Sequence, residues 1–415
     1  MRVVGICGRG IEGCGQTKYM IETKKALEYA GHTCDLIVSD DFNFVRKNAH
    51  DVDVKFRGKF ANPEFVTAMT KEANSYDIAI LFSLPDLKFT EECKKGFLDF
   101  IQSLSIKIIY IMVDHNIDSI KRNACIDETC RKVDLILVHS LTGAMAQYVN
   151  SLGCSTPLDY LYTSRDFDEM RDKFWKPVSE MNLKASTFIG RCATWKKPAW
   201  YIDFSREYLN PNGYVSTMEG MEKSMAFTTI FYADHHHKSS GWVPGIDMSR
   251  YLHTKTTYYD DLGTEKMYVF GIYKFDECME RLSKVGFGAD LYTLDAKKYG
   301  RSLEQCHNDI VACGCIPVMS RHFGRNCLTL EDRPWIEACP DAVWLDESNF
   351  KECFEKMEMY RKDPVLFDET REKIYEFFKT QGDISVISKK FDEILAKAQA
   401  LPFKKRTYKA QMKLW

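Results

Sequence analysis

The stretch "RVVGICGRGIEGCGQTKY", residues 2–19, decides the fold class of this chain. An apolar, β-branched run leads into a glycine-rich turn, and an amphipathic stretch follows, which is typical of the first strand and helix of a parallel α/β domain. Gly8, Gly10 and Gly13 match the dinucleotide-binding fingerprint. The same turn also resembles a P-loop, but position 16 is glutamine where a P-loop requires lysine. A tight turn without nucleotide contact is the third interpretation.

Further apolar runs alternate with helical patterns along the whole chain. The first series is "TCDLIVS", "DIAILFS", "IKIIYIM" and "DLILVHS", and the second is "KASTFIG", "YVSTM", "KMYVFGIY" and "CIPVMS". Two α/β lobes are therefore expected, each a doubly wound, Rossmann-like sheet whose loop ends face a shared cleft. We predict an acceptor-side lobe over residues 1–175, with the C-terminal helix 385–415 crossing back onto it, and a second lobe over residues 176–384.

The composition indicates a globular protein of two-domain length. The chain has 415 residues, of which 45% are hydrophobic, and this is enough to bury two cores. No apolar run has the length of a membrane span, and the N-terminus lacks a signal-peptide pattern, so we expect a cytoplasmic protein without membrane contact. The 15 cysteines do not have disulfide or zinc spacing and are predicted to be reduced thiols, with no metal site.

A net charge of −2 excludes a global field that would attract nucleic acid. Contact with DNA would have to come from local basic patches. The candidates are Lys121 with Arg122, the neighbourhood of Lys238, and the tail that starts at Lys404. An ordinary solvated surface is the alternative interpretation for each.

A second loop with residues suited to catalysis is "IMVDHNIDSIKRN". Its first residues continue an apolar run that is typical of a central strand. Asp114 and His115 lie where a charged residue is costly unless it has a task or a partner. An adjacent acid and imidazole can orient or activate a hydroxyl group. A helix N-cap with an incidental histidine is the alternative.

A third loop, "FIGRCATWKK", combines Gly190, Arg191 and Lys196 before a predicted helix. Gly190 would let the backbone approach a ligand closely. The guanidinium of Arg191 and the ammonium of Lys196 are suited to bind a diphosphate. Further along, Glu304 and Asp309 precede "ACGCIPV", and carboxylates beside a diphosphate site can accept ribose hydroxyls. The stretch "KVGFG", residues 284–288, is predicted to be a loop whose Gly286 and Gly288 allow another close backbone approach.

Taken together, these features resemble glycosyltransferases of the two-lobed GT-B fold, and more narrowly the DNA α-glucosyltransferases of T-even bacteriophages. The similar segments run in the same order from residue 1 to about residue 385. They are "RGIEGCGQTKY", "GRCATWKK", "STMEGMEKSMAF", "ERLSKVGFG" and "RSLEQCHNDIVACGCIPV". Their combination is far more specific than any one of them.

The resemblance implies a monomeric enzyme, acting in the infected bacterial cell, that transfers a sugar from a UDP-sugar to 5-hydroxymethylcytosine in duplex DNA. Retention at the anomeric carbon and no required cofactor or metal are also implied. Asp114 and His115 match the acidic and second histidine positions of a His-Asp-His stretch at the catalytic site. Lys121, Arg122 and Lys238 would contact the DNA. The residues expected to bind the donor are Gly13, Gly15, Gly190, Arg191, Lys196, Gly286, Gly288, Glu304 and Asp309.

One departure from the family bears on the donor sugar: Val113 replaces the first histidine of the His-Asp-His stretch. Loss of a buried hydrogen-bonding group changes which sugar a site accepts. Glucose is the first choice, and arabinose on the same base is the alternative. Residues 230–265 also differ from the family, and they could reshape the donor pocket or the DNA contact.

Three other classes of function stay open at this point. A GT-B enzyme with a non-DNA acceptor would share every donor feature. A NAD-dependent oxidoreductase would use the first glycine turn but leave the basic turn at Arg191 unexplained. A DNA-binding protein without catalytic activity agrees least well with two paired lobes and a nearly neutral charge.

Overall fold

The computed structural model describes residues 1–8, 15–41, 53–83, 89–112, 124–189, 196–219, 256–259, 267–270, 275–293, 304–404 and 406. These residues form two compact units. The first unit comprises the described residues of 1–164 and those from Ile384 onward, and the second lies between Arg165 and Asp383. The structure thus divides the chain between Ser164 and Arg165, earlier than the predicted boundary at 175.

The first unit contains a seven-stranded sheet whose described strand pairs are all parallel. The strand order is β3-β2-β1-β4-β5-β6-β7. The strands are β1 (Arg2–Cys7), β2 (Thr33–Ser39), β3 (Phe56–Gly58), β4 (Ile78–Ser83), β5 (Lys107–Ile111), β6 (Leu135–Val138) and β7 (Leu158–Tyr160). The helices are α1 (Gly15–Tyr29), α2 (Pro63–Ala73), α3 (Glu91–Ser103), α4 (Ala124–Lys132), α5 (Ala144–Ser151) and, numbered by its place in the chain, α14 (Ile384–Ala400).

Helices cover both faces of this sheet, which explains why its central strands are mostly apolar instead of alternating with polar residues. Along β1, Val4 and Ile6 enter the core formed with α2, α3, α4 and α5. The intervening Val3 and Cys7 enter the opposite core, formed with α1 and α14. The C-terminal helix therefore packs beside α1 and completes the first unit.

The second unit also contains a seven-stranded sheet, in the order β10-β11-β9-β8-β12-β13-β14. Among its described pairs, only β10 and β11 are antiparallel. The strands are β8 (Asn182–Ile189), β9 (Val215–Glu219), β10 (Thr256–Tyr259), β11 (Met267–Phe270), β12 (Val285–Asp290), β13 (Ile316–Ser320) and β14 (Val343–Leu345). The helices are α6 (Phe167–Phe174), α7 (Pro198–Phe204), α8 (Phe275–Leu282), α9 (Gln305–Ala312), α10 (Arg321–Asn326), α11 (Trp335–Ala338), α12 (Phe350–Lys362) and α13 (Pro364–Gly382).

Candidate active site

The second sheet has a topological switch point between β8 and β12. From β8 the chain continues outward to β9 on one side, whereas β12 lies on the other side and leads to β13. Ligands of open parallel sheets bind at the carboxyl ends of the strands at such a point. Gly190 and Arg191 follow β8 directly but lie outside the described residues, so their contact with a diphosphate stays a prediction.

Lys196 is the centre of a buried ionic cluster at this switch point. Its Nζ lies 2.9 Å from Asp290 Oδ2 and 3.1 Å from Asp290 Oδ1. A second carboxylate, Glu304 Oε2, is 3.4 Å from the same nitrogen. The ammonium also lies 4.8 Å from the centroid of the Tyr292 ring. We call Lys196, Asp290 and Glu304 the donor cluster; it brings together two predicted donor-binding residues and one that the sequence analysis missed.

Three separate elements supply the donor cluster. Lys196 precedes α7, Asp290 ends β12, and Glu304 is the residue before α9. Lys197, the residue before α7, lies in the left-handed region with φ of 47°, a strained conformation for a residue with a side chain. Such strain is concentrated at functional sites, and here it occurs next to the central ammonium.

The electrostatics of the cluster keep Lys196 charged. Burial alone lowers the pKa of this ammonium, but the charges of Asp290 and Glu304 outweigh burial and hold its pKa above the ordinary value. The two carboxylates differ in access, because the Asp290 side chain is 0% exposed and the Glu304 side chain is 23% exposed. Glu304 is therefore the carboxylate that can reach a ligand.

His307, in the first turn of α9, joins that helix to β12. Its Nε2 lies 3.3 Å from the main-chain oxygen of Asp290 and donates to it, since a carbonyl can only accept. Burial, together with the nearby Lys196 charge, lowers the pKa of His307 to about 3. The imidazole is neutral at pH 7 and adds no charge to the cluster.

Asp309 lies further along α9 and is engaged by the fold itself. Its Oδ1 is 2.5 Å from Arg165 Nη2, and both side chains are almost completely buried. The same guanidinium donates to Gln305 Oε1 at 3.1 Å. The predicted contact of Asp309 with a sugar stays a prediction, and the structure adds that this carboxylate already has a cationic partner.

The stretch with Gly286 and Gly288 is a strand, so the prediction of a loop over residues 284–288 is wrong. A Cβ on Gly288 would lie 2.6 Å from Ile310 Cγ2 on α9, and one on Gly286 would lie 3.1 Å from Leu183 Cα. The absent side chains let α9 and β8 pack closely on β12. Contact of these glycines with the donor stays a prediction.

Most residues predicted for the first lobe and for DNA lie outside the described part of the chain. Gly15 is described as the first residue of α1. Met112, the last described residue before the predicted catalytic pair, donates its main-chain N–H to Leu137 O at 2.9 Å. The predicted residues outside the described ranges are Gly13, Asp114, His115, Lys121, Arg122 and Lys238.

His139 is a further polar residue at the carboxyl edge of the first sheet, and the sequence analysis did not select it. It directly follows β6, is 3% exposed, and its ring centroid lies 5.6 Å from that of Tyr19. The signal in the sequence was the one that selected Asp114, a polar residue immediately after a buried apolar run.

Two features are absent from the described residues. There, no group of three or more His, Cys, Asp or Glu side chains is arranged to hold a metal ion. In that same portion, no helix has both the length and the apolar character of a membrane span. The described cysteines are not joined in disulfides.

Comparison with known proteins gives one consistent result. The model of the DNA alpha-glucosyltransferase family matches residues 14–364. The DNA alpha-glucosyltransferase of Enterobacteria phage T4 is 30% identical over 412 residues, which cover 96% of this chain and 100% of the relative.

Solved structures agree with it over nearly the whole chain. An alpha-glucosyltransferase in complex with UDP and a 13-mer DNA containing an HMU base has a TM-score of 0.83 and 28% identity, covering 95% of this chain and 99% of the other. An alpha-glucosyltransferase in complex with UDP-glucose and DNA containing an abasic site has a TM-score of 0.82 and 29% identity, with the same coverage. The predicted GT-B fold class is confirmed, and the chain belongs to the DNA alpha-glucosyltransferase family.

Proposed function

We propose that this protein transfers glucose from UDP-glucose to the hydroxymethyl group of 5-hydroxymethylcytosine in duplex DNA, with retention at the anomeric carbon. The observation that carries the proposal is the donor cluster, at the switch point of a chain that is 30% identical to a phage DNA alpha-glucosyltransferase over 96% of its length. Structures of similar proteins hold UDP with DNA that contains an HMU base, and UDP-glucose with DNA that contains an abasic site.

In this proposal, the cations of the second unit bind the donor diphosphate. Arg191 and Lys196 stabilise the negative charge that grows on the leaving UDP, so its departure needs no bound metal ion. Glu304, the more accessible carboxylate of the donor cluster, accepts hydrogen bonds from donor hydroxyl groups. Gly13 and Gly190 allow the backbone to approach the transferred sugar and the diphosphate.

The chemical step exchanges one bond at the anomeric carbon. The bond from this carbon to the diphosphate oxygen breaks, and a bond to the acceptor hydroxyl oxygen forms on the same face of the sugar. The hydroxyl proton passes to a phosphate oxygen of the departing UDP. Asp114 orients the acceptor hydroxyl, and His115 lies beside it as a hydrogen-bonding group.

The acceptor base must leave the duplex stack to reach these groups. This costs a few kcal/mol, which contacts with DNA phosphates and burial of the base offset. Lys121, Arg122 and Lys238 are the proposed phosphate contacts. Because phosphate contacts release counterions, binding to DNA is expected to weaken steeply with salt.

Glucose is proposed over arabinose because the compared structures include UDP-glucose and the relatives are glucosyltransferases. The test is mass spectrometry of nucleosides after separate incubation of hydroxymethylated duplex with UDP-glucose and with UDP-arabinose. A glucosylated nucleoside from the first reaction supports the proposal, and a pentosyl product from the second alone would replace glucose by arabinose. Unmodified duplex is the control, and no transfer to either DNA would point to a non-DNA acceptor.

We also propose that the enzyme acts without a cofactor, as a monomer, in the cytoplasm of the infected bacterium. Turnover in excess EDTA should equal turnover in its absence, because Arg191 and Lys196 carry out the charge neutralisation that a cation would otherwise provide. A loss that added Mg²⁺ or Mn²⁺ restores would contradict this. Sedimentation of the active protein should give the mass of one chain, and the mass of two chains would contradict the monomer.

A further inference from the structure

Asp290 is not among the predicted donor-binding residues, yet it contacts Lys196 and the helix that follows Glu304. Its carboxylate holds Lys196 with two contacts of 2.9 and 3.1 Å. Its main-chain oxygen accepts from His307 on α9, the helix that begins directly after Glu304. One residue at the end of β12 thus sets the position of Lys196 relative to Glu304.

The two carboxylates of the donor cluster are not equivalent. The contact of Lys196 with Asp290 is short, doubled and inaccessible to solvent, with an Asp290 side chain that is 0% exposed. The contact with Glu304 is single, longer at 3.4 Å, and made by a side chain that is 23% exposed. The longer, partly exposed contact with Glu304 is the weaker of the two, whereas the buried charge of Lys196 requires a permanent partner.

We propose that Asp290 is a positioning residue of the donor site: it is the permanent counter-ion of Lys196, and Glu304 is the exchangeable one. When the donor enters, its diphosphate replaces Glu304 beside the ammonium. Glu304 is then free to accept donor hydroxyl groups. Without Asp290, Glu304 becomes the main counter-ion of Lys196 and is withheld from the ligand. This inference rests on the proposed function.

The test compares UDP binding by calorimetry in the full-length protein and in Asp290→Asn, an isosteric change that removes the charge. The variant should bind UDP about tenfold to a hundredfold more weakly, the effect of a lost hydrogen bond between charged groups. In the transfer assay, KM for UDP-glucose should rise by the same factor, while KM for DNA stays constant. Equal UDP affinities of the two proteins would overturn the inference.

Asp134→Asn is the matched control, because Asp134 is also a fully buried aspartate paired with a cation, Arg406. This control should lower the melting temperature and leave the UDP affinity unchanged. A loss of UDP affinity as large as that of Asp290→Asn would mean that the effect reports stability alone, and would overturn the inference. Absence of UDP binding by the unchanged protein would instead overturn the proposed function.

A second variant keeps the test decisive if Asp290→Asn does not fold. Lys196→Met combined with Asp290→Asn removes both buried charges, which is tolerated far better than removal of one. If Asp290 acts through Lys196, the double variant should bind UDP as weakly as Lys196→Met alone. A clearly weaker double variant would show that Asp290 acts independently of Lys196, against the inference.

Discussion

Two buried aspartates, one in each unit, show how similar ion pairs serve different purposes. Asp290 holds Lys196 at the carboxyl end of β12. Asp134 lies just before β6, at the amino end of the strand, and its Oδ2 is 2.5 Å from Arg406 Nη2. It also accepts the main-chain N–H groups of Ile108 and Lys404. We call Asp134, Lys404 and Arg406 the tail cluster.

The two clusters differ in how completely the fold satisfies the polar groups around them. In the tail cluster, Arg406 donates through Nε to Lys132 O, through Nη1 to Leu104 O, and through Nη2 to Asp134. Beside the donor cluster, by contrast, α9 carries polar atoms with no hydrogen-bond partner among the described residues; these are Gln305 Nε2, His307 Nδ1 and both side-chain atoms of Asn308. A fold leaves such groups unsatisfied mainly where it has a function.

Asp114→Asn should give the largest effect. It tests whether the catalytic residues lie at the carboxyl edge of the first sheet. Removing the group that orients the acceptor hydroxyl should lower kcat by about 100-fold or more, the usual range for general acid–base groups. The affinity for UDP should not change. The measurement is single-turnover transfer to hydroxymethylated duplex, with UDP calorimetry on the same preparation. Equal losses in turnover and in UDP affinity would remove Asp114 from this role.

Arg406→Ala tests whether the tail cluster contributes to stability and not to ligand binding. It leaves Asp134 buried with its main cation removed, which costs about 3–5 kcal/mol of unfolding free energy. For a unit of this size, the melting temperature should fall by about 10 °C. UDP affinity and turnover at a temperature where the variant is folded should equal those of the unchanged protein. A variant that melts normally but loses DNA binding would reassign the basic tail to the DNA contact.

Much of the fold could be predicted from the sequence, because strands buried on both faces are recognisable as continuous apolar runs. Val3, Val4 and Ile6 mark β1 in this way, and the glycine turn after it marks the start of α1. The pattern misled at β12, where two glycines in "VGFGAD" indicated a loop. Those glycines are required by the close packing of α9 and β8, and the sequence of β12 alone does not reveal its neighbours.

The site could be predicted in its residue types but not in its pairings. Lys196 and Glu304 were selected from local patterns, and the structure brings them together. Asp290 was missed because its strand had been interpreted as a loop, so it did not look like an acid at the end of a strand. Its partner Lys196 is 94 residues away in the chain, and no local pattern predicts a contact at that separation.

Arg191→Ala tests whether Arg191 and Lys196 both bind the donor diphosphate. If Arg191 shares the diphosphate with Lys196, its loss should weaken UDP binding by about tenfold to a hundredfold, as expected for a hydrogen bond between charged groups. Uridine has no phosphate, so its weak binding should be unaffected and serves as the control. UDP binding that is unaltered in the variant would place Arg191 outside the diphosphate site.

His307→Gln should give the smallest effect, on the pH dependence of stability. Because burial and the Lys196 charge lower the pKa of His307 to about 3, the folded protein keeps this imidazole neutral. The unfolded chain binds a proton near pH 6.5, so stability falls as the pH drops from about 6.5 toward 3. At pH 5.5 this linkage costs about 1.4 kcal/mol of unfolding free energy, and glutamine does not titrate.

The drop in melting temperature between pH 7.5 and 5.5 should therefore be smaller in His307→Gln than in the unchanged protein. Arg406→Ala, whose change lies in the tail cluster, should show the full drop; equal drops in all three proteins would mean that His307 is not the neutral buried base beside the donor cluster.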